Sequence, residues 1–381
     1  MKQDGVSDYM KKARQANLEL LRLIAMLMVV TMHVINHGGM IDLAQKGTFA
    51  YYAAWTLFGV SFVAINLYIL ISGYFLAESK FSLWRLVKIE LQVFFYAFVI
   101  MAVFWLFGGA ERDLKYFIYC VTPVISDFYW FATMYVGMYL LSPLLNRLAH
   151  SLTKRQFQCV LLLLFLQFSV WTNIFYYTSG MNIAGGVSIS WFLVIYLFGA
   201  YIRLHYVPDQ KCGKWMAAGW TLAFLIPVSR YVIELLLATP LGKIGFLEDL
   251  MWGYSVFYQY NSILATLGAL CLFIAFLNIR IKDGLGAKVI MTAASASFGV
   301  YLIHDHYYIR ELIWDKINPW AWMDDWYLLP GVILTVAGIY IVCMAAELLR
   351  MQLFKPVEKA IKPVFDRMDQ KLRKIWQGEE K

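Results

Sequence analysis

Asn17-Leu-Glu-Leu-Leu-Arg22-Leu-Ile-Ala-Met-Leu-Met-Val-Val-Thr-Met-His33-Val34 is the stretch on which the fold is decided. It is apolar apart from Asn17, Glu19, Arg22, Thr31 and His33. With its flanks it has the ~20 residues that a helix needs to cross ~30 Å of hydrocarbon. No small-residue cleavage site follows, so it is read as a retained span and not a signal peptide. Arg22 and His33 are eleven residues apart, a rotation of about 1,100°, which puts both on one helical face ~16 Å apart along the axis. A cation and an imidazole are costly inside a bilayer, and such residues are functional-site candidates by default.

The rest of the chain extends this pattern. Of 381 residues 61% are hydrophobic and 15% charged, where a soluble domain carries about 25% charged residues; mean hydropathy is +0.60. Apolar runs fall at 17–37, 50–77, 88–108, 128–146, 156–178, 187–204, 215–238, 254–278, 289–309 and 327–349. The expected fold is an all-α, polytopic membrane helix bundle of ten transmembrane helices with both termini cytoplasmic. Residues 1–350 form the membrane domain and residues 351–381 a basic cytoplasmic tail. With the N-terminus inside, each inner loop carries three basic residues, whereas Glu248, Asp249, Asp324 and Asp325 collect outside, as the positive-inside rule requires. The basic residues off this pattern are Lys46, Arg112, Lys115, Arg230, Lys243, Arg310 and Lys316.

The net charge of +8 follows from that topology, so no nucleic-acid partner is expected; the lipid bilayer is the partner the composition names. In the tail, Val357, Ile361, Phe365, Met368, Leu372 and Trp376 alternate with Lys and Arg. That pattern suits an amphipathic helix on anionic lipid or a disordered segment. The five cysteines are scattered without a CxxC pair and read as apolar packing residues. Loops of under about 25 residues are too short for a folded catalytic module, so any chemistry belongs to the bundle.

Four groups of polar residues remain. Glu19, one turn before Arg22, can hold its guanidinium as an i,i+3 pair; the competing reading of Arg22 is snorkelling to lipid phosphate. Arg85 and Lys88 stand one turn apart at the start of the third span. With Arg22 they make three cations that suit a phosphate clamp or ordinary inner-rim anchoring. Tyr135, Tyr139, Ser142 and Asn146 form one helical stripe on the fourth span, fit to line a cavity or to glue helices. Pro143 is expected to kink or end that span. Ser297, Tyr301 and His304 share a face of the ninth span. His304 and His306, two apart on a helix, point their rings about 200° apart, so no metal is expected there.

Several of these segments resemble the acyltransferase-3 family of bacterial integral-membrane acyltransferases. Arg22 and His33, separated by ten residues, resemble its first-span Arg/Lys-x10-His signature. Phe62 to Leu76, ending Ile71-Ser-Gly-Tyr-Phe-Leu76, is similar to its second span. Trp130-Phe131 through Leu140-Leu-Ser-Pro-Leu-Leu-Asn146 resembles its fourth, and Ser297-Phe-Gly-Val-Tyr301-Leu-Ile-His304 its late Tyr-Leu-x-His element. The likeness runs from about residue 15 to 350.

The resemblance implies an O-acetyltransferase of the bacterial cytoplasmic (inner) membrane. Its acyl donor would be acetyl-coenzyme A and its acceptor a hydroxyl of an envelope polysaccharide or glycolipid. It makes His33 the catalytic residue and Arg22 its essential partner. The family's Arg-x-x-Arg element stands here as Arg85-Leu-Val-Lys88, and Lys keeps the charge without the bidentate fork. Arg22, Arg85 and Lys88 are then the expected coenzyme A contacts; Trp130, Tyr135, Tyr301 and His304 are candidates for the acceptor side. The rival reading is a transporter or flippase for a polar solute or lipid-linked sugar, which would be expected to show broken half-helices and internal symmetry.

Overall fold

In a computed structural model the described residues are 15–174, 183–209, 211–243, 257–318 and 327–377. Lys2, Lys11, Lys12, Arg14, Glu248, Asp249, Asp324 and Asp325 lie outside them, as do the end of the expected fifth span and the start of the eighth. The described residues are helical, with no strand among them. The principal helices are α1 (Ala16–Asn36), α2 (Phe49–Val60), α3 (Val63–Leu76), α4 (Leu83–Phe107), α5 (Trp130–Ser151) and α6 (Lys154–Phe165). They continue with α7 (Ile189–His205), α8 (Cys212–Leu237), α9 (Ile263–Leu277), α10 (Leu285–His304), α11 (Tyr307–Ile317) and α12 (Leu328–Gln377). By length and composition, seven helical segments among the described residues can cross a membrane: α1, α2 with α3, α4, α6 extended to Ile174, α8, α10 and α12 to Leu372. α7 and α9 are shorter apolar helices.

α1 is the hub. It packs against α10, α3, α12, α2 and α9, and its buried residues point in every direction around the axis: Leu18, Leu21, Ala25, Val30, Val34 and Ile35. A helix apolar all round is one surrounded by others. Behind it α3 and α7 cross at backbone contact. A Cβ on Gly73 would stand 2.3 Å from the Tyr196 carbonyl oxygen, and one on Gly199 2.5 Å from that of Leu70. Small residues at such crossings are how membrane helices gain close packing without a hydrophobic drive between them.

Two readings that the sequence left open are narrowed. Pro143 does not end the fourth span, because α5 runs through it to Ser151. Proline removes the N–H that would bond the Tyr139 carbonyl, and the Ser142 hydroxyl donates to that carbonyl instead, at 2.7 Å. Of the two readings of the segment after residue 350, a helix or a disordered segment, the described residues to 377 are helical. α12 continues unbroken for 50 residues, about 75 Å, and its far part docks on the start of α4. There the Asp369 carboxylate accepts from the Leu83 N–H at 2.6 Å and the Ser82 hydroxyl at 2.8 Å, and Phe365 meets Trp84. Nearer the bundle a buried Glu347 binds Gln92, Tyr96 and Arg350 at 2.6–3.0 Å, tying α12 to α4.

Candidate functional site

One face of α1 forms the wall of a cavity of about 260 Å³: Arg22, Met26, Val29 and His33, at i, i+4, i+7 and i+11. Arg22 and His33 are therefore at two ends of a strip whose middle is thioether and aliphatic. Tyr68 and Ser72 of α3, one turn apart, face it, as do Ile89 of α4 and Phe298 and Tyr301 of α10. Trp130, Phe131 and Tyr135 supply an aromatic side, with Trp130 stacked on Tyr260 and Phe131 edge-on to Tyr68 and Tyr301. Tyr260 is held by Asn66, which receives the Trp191 indole N–H and donates to the Tyr260 carbonyl. Pockets that enclose a drug-sized ligand have about 300–1,000 Å³, so this one lies just below the small end of that range.

At the Arg22 end the pair expected from spacing is present: Nη1 donates to Glu19 Oε2 at 2.6 Å. Glu19 is buried and the guanidinium partly open, so the carboxylate aims the cation without hiding it. The Tyr68 hydroxyl donates to the Arg22 carbonyl at 3.0 Å and pins α3 to this turn.

At the other end, His33 Nδ1 is 2.8 Å from His304 Nε2, and His304 Nδ1 is 2.6 Å from the Val300 carbonyl. A carbonyl only accepts, so His304 carries its proton on Nδ1 and presents a bare Nε2. His33 must then donate from Nδ1, which leaves Nε2 as its basic atom. Beyond the pair lies Asp305, where α10 ends. Its Oδ1 is 3.6 Å from His33 Nδ1, 3.8 Å from His37 Nε2 and 3.6 Å from Arg310 Nη1. Burial pushes the Asp305 carboxyl up, opposed by His304, His37 and Arg310, and burial also holds His37 down.

Of the residues singled out from sequence, Arg22, His33, Trp130, Tyr135 and Tyr301 share this cavity, and His304 stands behind His33. Arg85 and Lys88 are not in its wall, although the next residue, Ile89, is. Arg85 donates to the Ser79 hydroxyl at 3.1 Å, and the Lys88 ammonium lies 2.8 Å from Glu358. The fourth-span stripe divides. Tyr135 faces the cavity, whereas Tyr139 bonds Ser82, and Asn146 bonds the Leu76 carbonyl and the Tyr196 hydroxyl. His306 lies past the helix end and turns toward the Ala97 carbonyl, so the two histidines diverge. Tyr68 and Ser72 were not singled out; two polar residues one turn apart in an apolar span were the available signal.

Neither curated proteins nor solved structures match the chain. A family model described as an acyltransferase domain matches residues 15–344. The match takes in both ends of the cavity and stops before Glu347, Glu358 and Asp369. With seven helices able to cross a bilayer and a match over most of its length, the chain is a membrane acyltransferase and belongs to the acyltransferase-3 family.

Proposed function

We propose that this acyltransferase moves an acetyl group from acetyl-coenzyme A to a hydroxyl of an envelope polysaccharide or glycolipid, with His33 as general base. One observation carries the proposal: a narrow cavity runs along α1 from a guanidinium to an imidazole whose partner leaves Nε2 bare. The donor's phosphates lie at the Arg22 end, and its thin arm, of the same order as the ~16 Å between Arg22 and His33, follows Met26 and Val29 inward. Arg85, at the same end of α4 as Lys88, is the next candidate phosphate contact; Lys88 contributes once Glu358 releases it.

In the reaction His33 Nε2 takes the proton of the acceptor hydroxyl as its oxygen attacks the thioester carbonyl carbon. The C–S bond breaks, the new ester forms, and the imidazolium returns its proton to the departing thiolate. His304 holds His33 in the tautomer that can do this, and Trp130, Tyr135 and Tyr301 line the acceptor side. Counting α5, α7 and α9 with the seven more apolar segments gives ten crossings. With basic loops inward, both termini and the Arg22 end face the cytoplasm, where coenzyme A is made, in a bacterial inner membrane.

Purified protein given acetyl-coenzyme A labelled in its acetyl group tests the assignment. His33→Ala should lose at least about a hundredfold in transfer, the scale of a general base, while acetyl-coenzyme A still raises its melting temperature. Full transfer by His33→Ala would sink the assignment. A stabilisation by free sugar and not by coenzyme A would favour transport.

A further inference from the structure

His33, His37 and Asp305 converge in a way that acyl transfer does not require. One ligand atom from each lies within 4.8 Å of the others, and Asp305 Oδ1 is buried with no hydrogen-bond partner among the described residues. Two imidazole nitrogens and a carboxylate are a zinc-type donor set, with water free to complete a tetrahedron. Zinc–ligand bonds of about 2.0–2.1 Å put ligand atoms roughly 3.4 Å apart. The two distances to Asp305, 3.6 and 3.8 Å, are already near that value. His37, partly exposed, has the freedom to close the remaining edge.

Two groups oppose an ion. Arg310 Nη1 stands 3.6 Å from the same oxygen and must swing aside, which its partial exposure permits. His304 Nε2 holds the Nδ1 proton of His33, and a metal on Nδ1 displaces that bond. The second conflict has a chemical consequence. With Nδ1 ligated, the neutral imidazole keeps its one proton on Nε2, the atom that faces chemistry in the reading above.

We propose that His33, His37 and Asp305 form an inhibitory site for a divalent transition metal of the zinc type, and that an ion there occupies Nδ1 and removes the base. The binding half stands on the side-chain cluster alone; the inhibitory half rests on His33 being the base.

The full-length protein in detergent, stripped with chelator, is titrated with Zn²⁺ against a chromophoric chelator. About one ion should bind, at least tenfold more weakly in His37→Ala and Asp305→Asn. It should bind more tightly in Arg310→Ala, where the competing cation is gone. Co²⁺ in place of Zn²⁺ should give the visible absorption of a tetrahedral site, and His37→Ala should lose it. Equal Zn²⁺ affinity in wild type and His37→Ala, or no cobalt band in wild type, overturns the site. Transfer activity with and without Zn²⁺, taken as a ratio within each variant, should need at least tenfold more metal to fall in His37→Ala. Unchanged activity in zinc-saturated wild type overturns the inhibitory half and leaves the site standing. A chain without any transfer activity would refute the base and not the binding or the spectrum.

Discussion

The two ends of the cavity are built on opposite plans. At the His33 end the groups are neutral or counterbalanced, and the imidazole is braced by a buried residue far away in sequence: His304 is 271 positions distant. At the Arg22 end charge is local and partly open. Arg22 takes its partner from its own helix, three residues back, and Arg85 and Lys88 lie at the surface on short-range or exposed partners. On the proposed function a base must be held in one tautomer at one place, which the His304 contact does. A phosphate binder must exchange water and ligand, so its cations stay accessible. On the proposed function, the difference between the ends is the difference between chemistry and capture.

The contrast can be broken most sharply at His304. Replacing it with Ala frees His33 to carry its proton on Nε2, and kcat should fall by at least about a hundredfold, toward the ~10⁴-fold lost when a catalytic histidine takes the wrong tautomer. Donor KM should hold, and Gln, which can accept from Nδ1, should restore part of the rate. A rise in KM with kcat unchanged would move His304 from the chemical end to the capture end. Arg22→Met should do the reverse, raising donor KM about tenfold for one lost charge-assisted hydrogen bond of about 1.5 kcal/mol while kcat changes little; a kcat effect alone would erase the division.

Smaller effects separate capture from anchoring at the surface. Asp369→Ala uncaps α4 and should lower stability by about 1 kcal/mol, read as a drop in melting temperature. Lys88→Ala breaks an exposed ion pair and should cost no more than about 1 kcal/mol, with donor KM close to wild type while Glu358 occupies that ammonium. A donor KM several times higher in Lys88→Ala, and lower in Glu358→Gln, would show the tail and the donor contending for one cation.

What was legible in the chain follows the same divide. Arg22, His33 and the Glu19 pair could be read because helical periodicity is a local rule that works at any depth in a membrane. The membrane-bundle class was legible for a similar reason, since every backbone group in lipid must find its partner within its own helix or barrel. The pairing of His33 with His304 was not, because it depends on how α1 and α10 pack and no local rule fixes that. The fate of Lys88 was hidden for the same cause; its partner stands 270 residues on. That α5 continues past Pro143 was hidden because the rule for proline considers the missing N–H and not a neighbouring Ser142 whose hydroxyl takes up the Tyr139 carbonyl.

The clasp of Asp369 on Leu83 has a consequence in time. Translation reaches Leu83 long before Asp369, which comes 286 residues later. Throughout that interval the first turn of α4 has an amide with no carboxylate to meet it, and the rim beside Arg85 and Lys88 stands unlatched. Closure waits for almost every other helix to have been threaded into the bilayer. The order of synthesis therefore makes the docked helix a late clasp: a chain halted before residue 369 keeps His33 and the cavity wall but leaves the start of α4 unfastened.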